Sequence, residues 1–274
     1  MGAIAVLGTM LAFQAAVEDP RALVLRSAIV DAGNRALQRN YTYRERVVER
    51  QFDGSGKTKS TEAKTFDVLN LYGRPYRRLI EKDGRPLAAR QDSEEQSKID
   101  REMAKRSRES ESDRRKHREK EDKELKEEQA FRREIADAFQ FTTLPAESIG
   151  GMPCHVIEAW PEPGFKPRTR DGQALSKMKG RLWISRDGLR WVKVETETID
   201  TISLGWFLLR VAKGTRFLME AGRVGGEVWM PSHFHVRGDA RVAGLKRFNM
   251  EVDVAWSEFR KFTTESRVVP STEP

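Results

Sequence analysis

Two histidines, His233 and His235, stand two apart in a run of alternating character, so in a β-strand both project from one face and could reach a common metal ion. A metal centre needs a third ligand, and the nearest acid along the chain, Asp239, lies beyond Gly238. The pair therefore reads as two surface histidines. Cys154 and His155 are adjacent, which in a strand sends them to opposite faces, and no third group marks an activated thiol. As the sole cysteine, Cys154 also excludes an intramolecular disulfide and any multi-cysteine metal centre, and it reads as a core residue. Gly56-Lys57-Thr58 ends like a phosphate-binding loop, but the glycine required five residues earlier is Gln51. Thr201-Ile202-Ser203-Leu204-Gly205 has threonine where a nucleophile elbow has its first glycine. Acids are plentiful, yet their spacing selects no pair for acid–base work. The expectation is a non-enzymatic protein with no catalytic residues, no metal and no cofactor.

Chemistry of binding remains. A net charge of +8 permits nucleic acid, anionic membrane surfaces or acidic partners. Arginine and lysine interleave with tryptophan in Arg181-Leu182-Trp183 and Arg190-Trp191-Val192-Lys193, as in single-strand binders. In a strand-rich chain, however, the 6 tryptophans read as core and cavity lining, so nucleic acid is not expected. The run ISLGWFLLRVA, residues 202–212, has Arg210 as its one charge and reads as a buried element or as a flap over an apolar groove.

The elements that would position these residues follow from periodicity. Residues 2–17 are apolar apart from Thr9 and Gln14, too short to span a bilayer, and resemble the core of a secretory signal peptide; the expected location is the periplasm. Asp19 and Pro20 then open one amphipathic helix to about Arg39, with Leu25, Ala28, Ile29, Ala32 and Ala36 as its apolar face. A long hairpin turns at Asp53-Gly54-Ser55-Gly56, and a short strand covers residues 76–82. Residues 92–134 carry 14 basic and 15 acidic side chains, so the positive surplus belongs to the rest of the chain. Glu94/Lys98, Glu102/Arg106, Glu111/Arg115, Glu119/Lys123 and Glu128/Arg132 place acid four before base, the order that supports a solvated helix. Its apolar residues, Ile99, Met103, Leu125 and Phe131, are too sparse for a coiled-coil seam. Strands are expected at 153–160, 181–186, 189–202, 227–237 and 245–262, separated by turn residues. Val228, Met230, Phe234 and Val236, and then Phe248, Met250, Val252, Val254 and Trp256, alternate as they do when one face is buried. The fold class is α+β, mainly β: a curved antiparallel sheet, an open half-barrel, with an N-terminal helix across it and a long charged helical insert.

Three strand motifs in order carry a resemblance: Gly150-Gly151-Met152-Pro153-Cys154-His155-Val156-Ile157-Glu158-Ala159, then Gly180-Arg181-Leu182-Trp183-Ile184-Ser185 with Trp191-Val192-Lys193-Val194-Glu195, then Glu227-Val228-Trp229-Met230-Pro231. The succession resembles the outer-membrane lipoprotein-sorting family of LolA-like and LolB-like carriers. The segments YTYRERV (41–47) and YGRPYRRLIEKDGRPL (72–87) are similar to those of a set of exported bacterial proteins. Ser185 stands where the family often has aspartate, and the charged helix is foreign to the typical carrier. The resemblance implies a half-barrel capped by helices around an apolar cavity for acyl chains.

The expected protein is an exported carrier of lipid or lipoprotein acyl chains, held in a cleft between the concave face of the sheet and the first helix. Met230, Phe234, Phe248, Met250 and Val252 would line the cleft, with Trp206 and Phe207 as its lid. The expected organisation is a signal-like segment 1–17, one domain 19–262 with the insertion 91–134, and a flexible tail 263–274. The alternative is an envelope scaffold or sensor with a filled core, binding a protein partner through its basic surface or charged helix. Peripheral contact with an anionic membrane fits either.

Overall fold

The computed structural model describes residues 18–169, 171–204, 209–242 and 246–262. Alternating side chains and glycine-bearing turns fold them into a 13-stranded antiparallel sheet, with the first helix and the end of the last one packed on one face, its helix side. The first elements are α1 (Pro20–Ala32), α2 (Asn34–Gln38), β1 (Tyr41–Phe52), β2 (Thr58–Leu71), β3 (Arg74–Lys82) and β4 (Arg85–Pro86). Two charged helices follow, α3 (Ala89–Ser107) and α4 (Glu111–Ala138). The second half holds β5 (Phe139–Ile149), β6 (Met152–Pro161), a 3-10 turn (Asp171–Lys177), β7 (Met178–Ser185), β8 (Trp191–Thr198), β9 (Ile202–Leu204), β10 (Leu209–Val211), β11 (Arg216–Val224), β12 (Val228–Val242) and β13 (Lys246–Lys261).

The strand order β4-β3-β2-β1-β13-β12-β11-β8-β7-β6-β5 leaves β4 and β5 as unpaired edges, with the β9–β10 hairpin joined to the end of β12. The sheet is curved and open rather than closed into a barrel, as expected. That order gives the charged stretch a task the sequence did not show. It links β4 at one edge to β5 at the other, a span of about 48 Å at ~4.8 Å per strand. The 28 residues of α4 alone reach about 42 Å at ~1.5 Å per residue. The expected solvated excursion is a crossover.

It is two helices rather than one, because Ser110 starts a second: its side chain accepts from the Asp113 amide at 3.1 Å. Each is moored by a buried charge. Arg106 on α3 donates to the carbonyls of Leu71 and Arg74 at 2.9 and 3.0 Å and to Glu102 at 2.6 Å, while Ile99 is buried. Glu134 on α4 accepts from the Arg168 amide, from the Thr169 amide at 3.2 Å and from the Thr169 hydroxyl at 2.5 Å. A Cβ at Gly172 would fall 2.5 Å from a Glu134 oxygen, so this mooring requires glycine there. Of the expected acid-before-base pairs, Glu102/Arg106 and Glu128/Arg132 form; Lys98 instead bonds Glu95.

Three further expectations are corrected. The first helix breaks at Gly33 into α1 and α2, and Leu23, Val24, Ser27 and Ala28 are its buried side, leaving Leu25 and Ile29 exposed. Strands β5 and β11 were not expected. Residues 189–202 form not one strand but β8 and the start of β9.

The main core lies beneath α1 and the end of α4. Leu23, Val24, Ile135 and Ala138 pack there on Ile157, Ala159, Leu182 and Ile184 of β6 and β7. A second cluster, Cys154, Val156, Trp183, Val192 and Trp229, lies on the opposite side of the same strands. Gly180 keeps β7 and β8 close, since a Cβ there would meet the Glu195 carbonyl oxygen at 2.5 Å.

Candidate functional site

Cross-strand partners share a face, so the register traces each side of the sheet. On the helix side, Ile157 pairs with Leu182, and the row continues through Val194, Met219, Phe234 and Val254 to Val47, apolar on seven successive strands. A parallel row holds Phe217, Val236 and Val252. At the β6–β7 end these residues are sealed: Ile157 is 0% and Leu182 6% exposed, under α1. Toward the middle the cover ends, and Met219 is 47% exposed. The cleft expected beneath the first helix is filled by Leu23 and Val24, which pack directly on the strands; the accessible apolar surface lies beside the helix instead.

Two features adjoin this row on the same face. Glu45, two residues from Val47, is bonded by the Arg77 guanidinium and by the Trp256 indole N–H at 3.1 Å, and Arg77 lies 4.0 Å over the Phe66 ring. Burial, with the Glu45 charge next, raises the neighbouring Tyr43 hydroxyl above its ordinary pKa. Beyond Tyr43, a cleft of about 400 Å³ opens between the sheet and α2 and α4, floored by Tyr41, Tyr43, Val68 and Met230. Arg39 and Glu121, 3.4 Å apart, stand at its rim with Glu124. Its size falls within the usual range for small-ligand sites, roughly 300–1,000 Å³.

The predicted lining residues are thereby divided. Phe234, Met250 and Val252 are partly buried on the helix-side face of β12 and β13, since Met250 lies opposite Gly238 and Val252 opposite Val236. Met230 belongs to the separate cleft, packed with Tyr41 and Val228. Phe248 pairs with Ala240, but its side chain lies outside the described residues, as do Trp206 and Phe207. Met219 and Phe217 were missed because β11 was missed; the alternation of Phe217 with Met219 between turn residues was the signal available.

The opposite face carries different chemistry. The row one residue away reads Glu158, Arg181, Glu195, Leu218, His235, Asp253. A groove of about 450 Å³ runs along it, with Trp160 48% exposed and the Lys179 ammonium 5.0 Å from its ring. Asp253, the cross-strand partner of His235, is the acid that spacing along one strand could not reveal. It lies 2.8 Å from His233 Nε2 and 3.4 Å from His235 Nδ1, and Glu220 lies 3.5 Å from His233 Nδ1. Burial pushes the Asp253 carboxyl up, but the two histidines outweigh it and hold the group below the ordinary carboxylate range. Among the described residues no group of three or more His, Cys, Asp or Glu is placed to hold a metal ion. Burial raises the Cys154 thiol, the wrong direction for a nucleophile. No helix among the described residues is long and apolar enough to cross a membrane.

No protein-family model and no curated protein matches the chain. Solved structures do. A DUF1329 family protein from Desulfovibrio piger is 12% identical, with 90% of this chain and 93% of that one covered and a TM-score of 0.32. A putative outer membrane lipoprotein-sorting protein domain from Vibrio parahaemolyticus is 11% identical, with coverages of 90% and 94% and a TM-score of 0.33. A LolA superfamily protein from Nitrosomonas europaea is 10% identical, with coverages of 88% and 94% and a TM-score of 0.29.

Proposed function

We propose that this is an exported, non-enzymatic binding protein of the periplasm that holds an acyl chain against the helix-side face of its sheet. The observation that carries the reading is the row from Ile157 to Val47, apolar on every strand yet uncovered at Met219. Such a strip is costly to leave in water and is matched by a long, featureless hydrocarbon. Each methylene buried on it contributes about 0.8 kcal/mol, so ten give a gross gain of ~8 kcal/mol against the cost of association. The Glu45–Arg77 pair beside the strip offers hydrogen-bonding groups to the polar end of the ligand. Trp206 and Phe207 lie in the connection between β9 and β10, whose hairpin joins β12 at Ala240 to Val242, and we assign them the flap. Phe234, Phe248, Met250 and Val252 remain the proposed lining, joined by Phe217 and Met219, with Met230 in the adjoining cleft.

Titration with a fluorescent fatty acid tests the reading. Wild type should take up the probe saturably. Met219→Glu, which puts a carboxylate into the strip at an exposed position, should weaken uptake about tenfold or more. Leu218→Glu, on the same strand but the other face, should leave it unchanged. Absence of uptake by wild type, or equal loss in both variants, would sink the proposal. The groove beside Trp160, with its alternating charges, favours a second reading in which that face meets a protein partner; loss of a captured partner on Trp160→Ala with acyl uptake intact would support it.

A further inference from the structure

The buried side of α1 accounts for Leu23, Val24, Ser27 and Ala28, but the helix is apolar on its other side as well. Leu25 and Ile29, one turn apart, are 36% and 55% exposed, and Leu37 on α2 is 41% exposed. Successive helical residues step by about 100°, which puts Leu25 and Ile29 opposite the buried side, with Arg21 and Arg26 flanking them. Beside Ile29 a groove of about 230 Å³ separates α1 from α4, lined by Ala28, Ile29, Gly33, Gln129, Arg132 and Arg133. Its polar lining side chains can all donate and none is acidic. Arg132 is bonded to Glu128 at 2.8 Å; among the described residues Arg133 has no ion pair. Arg21 is bonded to Asp137 and Arg26 to Glu18, so their charge is partly spent, whereas that of Arg133 is not.

We infer that the outer face of α1, with the α1–α4 groove, docks the protein on an anionic bilayer surface. Leu25 and Ile29 would enter the boundary between headgroups and acyl chains, while Arg133, with Arg132 and Gln129, would take up a lipid phosphate in the groove. The juxtaposition argues for a bilayer over a soluble partner. An apolar patch two side chains wide beside an unneutralised guanidinium matches a surface that offers hydrocarbon and phosphate within a few ångströms of each other. The chain's net charge of +8 favours approach to such a surface. This docking face is separate from the proposed acyl strip, which lies on the sheet, and it stands whether or not that reading does.

Co-sedimentation of the full chain with vesicles tests the inference. Wild type should bind phosphatidylcholine vesicles containing phosphatidylglycerol, bind pure phosphatidylcholine poorly, and lose binding as ionic strength rises. Arg133→Gln should weaken binding several-fold, and the double variant Leu25→Gln, Ile29→Gln about tenfold or more. Both carry changes at exposed or half-buried positions, and each is compared with wild type for thermal unfolding and for uptake of the fluorescent fatty acid, which should not change. Unaltered vesicle binding by both variants would overturn the inference and move the contact elsewhere on the chain. So would equal binding to the two vesicle types, or displacement by millimolar inorganic phosphate, which would make the groove a site for a soluble anion.

Discussion

Adjacent residues of the same strands have opposite surroundings on the two sides of this sheet. Ile157, Leu182, Val194, Met219 and Phe234 share the face on which α1 and the end of α4 pack, while Glu158, Arg181, Glu195, Leu218 and His235, each one position away, lie on the other. The two rows share backbone, register and length, so the difference between them is side-chain chemistry alone. On the charged face the side chains of this row are largely paired with one another, as Glu158 is with Arg181 and Asp253 with His235. On the apolar face, helices seal one end and leave the middle open. An apolar surface continuous with a core, and exposed among the described residues at Met219, is the feature on which the proposed ligand site rests.

Substitutions on the two faces should have effects of very different size. Leu182→Ala, at the sealed end of the apolar row, should cost about 2–5 kcal/mol in chemical denaturation. A cost below that range would mean that the core under α1 is loosely packed. Glu134→Gln removes the charge that moors α4 to residues 168–172 and faces an amide toward its donors; a loss of about 1–3 kcal/mol is expected.

On the charged face a pH effect of definite sign is expected. Because the Asp253 carboxyl is held below its ordinary range, its contribution is present at and above that range and is lost as pH falls through the depressed value. Asp253→Asn should flatten that part of the acid limb of a stability–pH curve, and an unchanged limb would remove the histidine cluster from the account. The smallest effect belongs to Arg181→Ala. Its pair with Glu158, 3.5 Å apart, is half-exposed and screened by solvent, so a change of roughly 0–1 kcal/mol is expected. A cost as large as that of Leu182→Ala would erase the distinction between the faces.

Much of the sheet was legible in the sequence because alternation reports a half-buried strand directly: β12 and β13 show it in Val228, Met230, Phe234, Val236, Met250, Val252 and Val254. Two strands were not. In β11, Glu220 and Ala221 sit at an irregularity in the pairing with β12, and in β5 the pairing shifts near Pro145, so neither keeps a clean period. The buried side of α1 was misread because Leu23 and Val24 compete with Leu25 and Ile29, and a helix apolar on both sides carries little directional signal. Linear spacing could not show that Asp253 meets His233 and His235, since their contact is made by strand register. Nor could it show that the charged helices join the two edges of the sheet, which depends on strand order. Of the proposed site, Phe234, Met250 and Val252 were found by alternation, whereas Phe217 and Met219 depended on β11.

Photo-cross-linking with a diazirine-bearing fatty acid distinguishes, at the resolution of single residues, which face of the sheet holds the ligand. Labelled protein would be digested and the modified positions mapped by mass spectrometry. Adducts are expected at Phe217, Met219, Phe234 and Val236, with none at their neighbours Leu218 and His235. Adducts concentrated on Leu218, His235 or Trp160, or spread equally over both faces, would contradict the proposed acyl site.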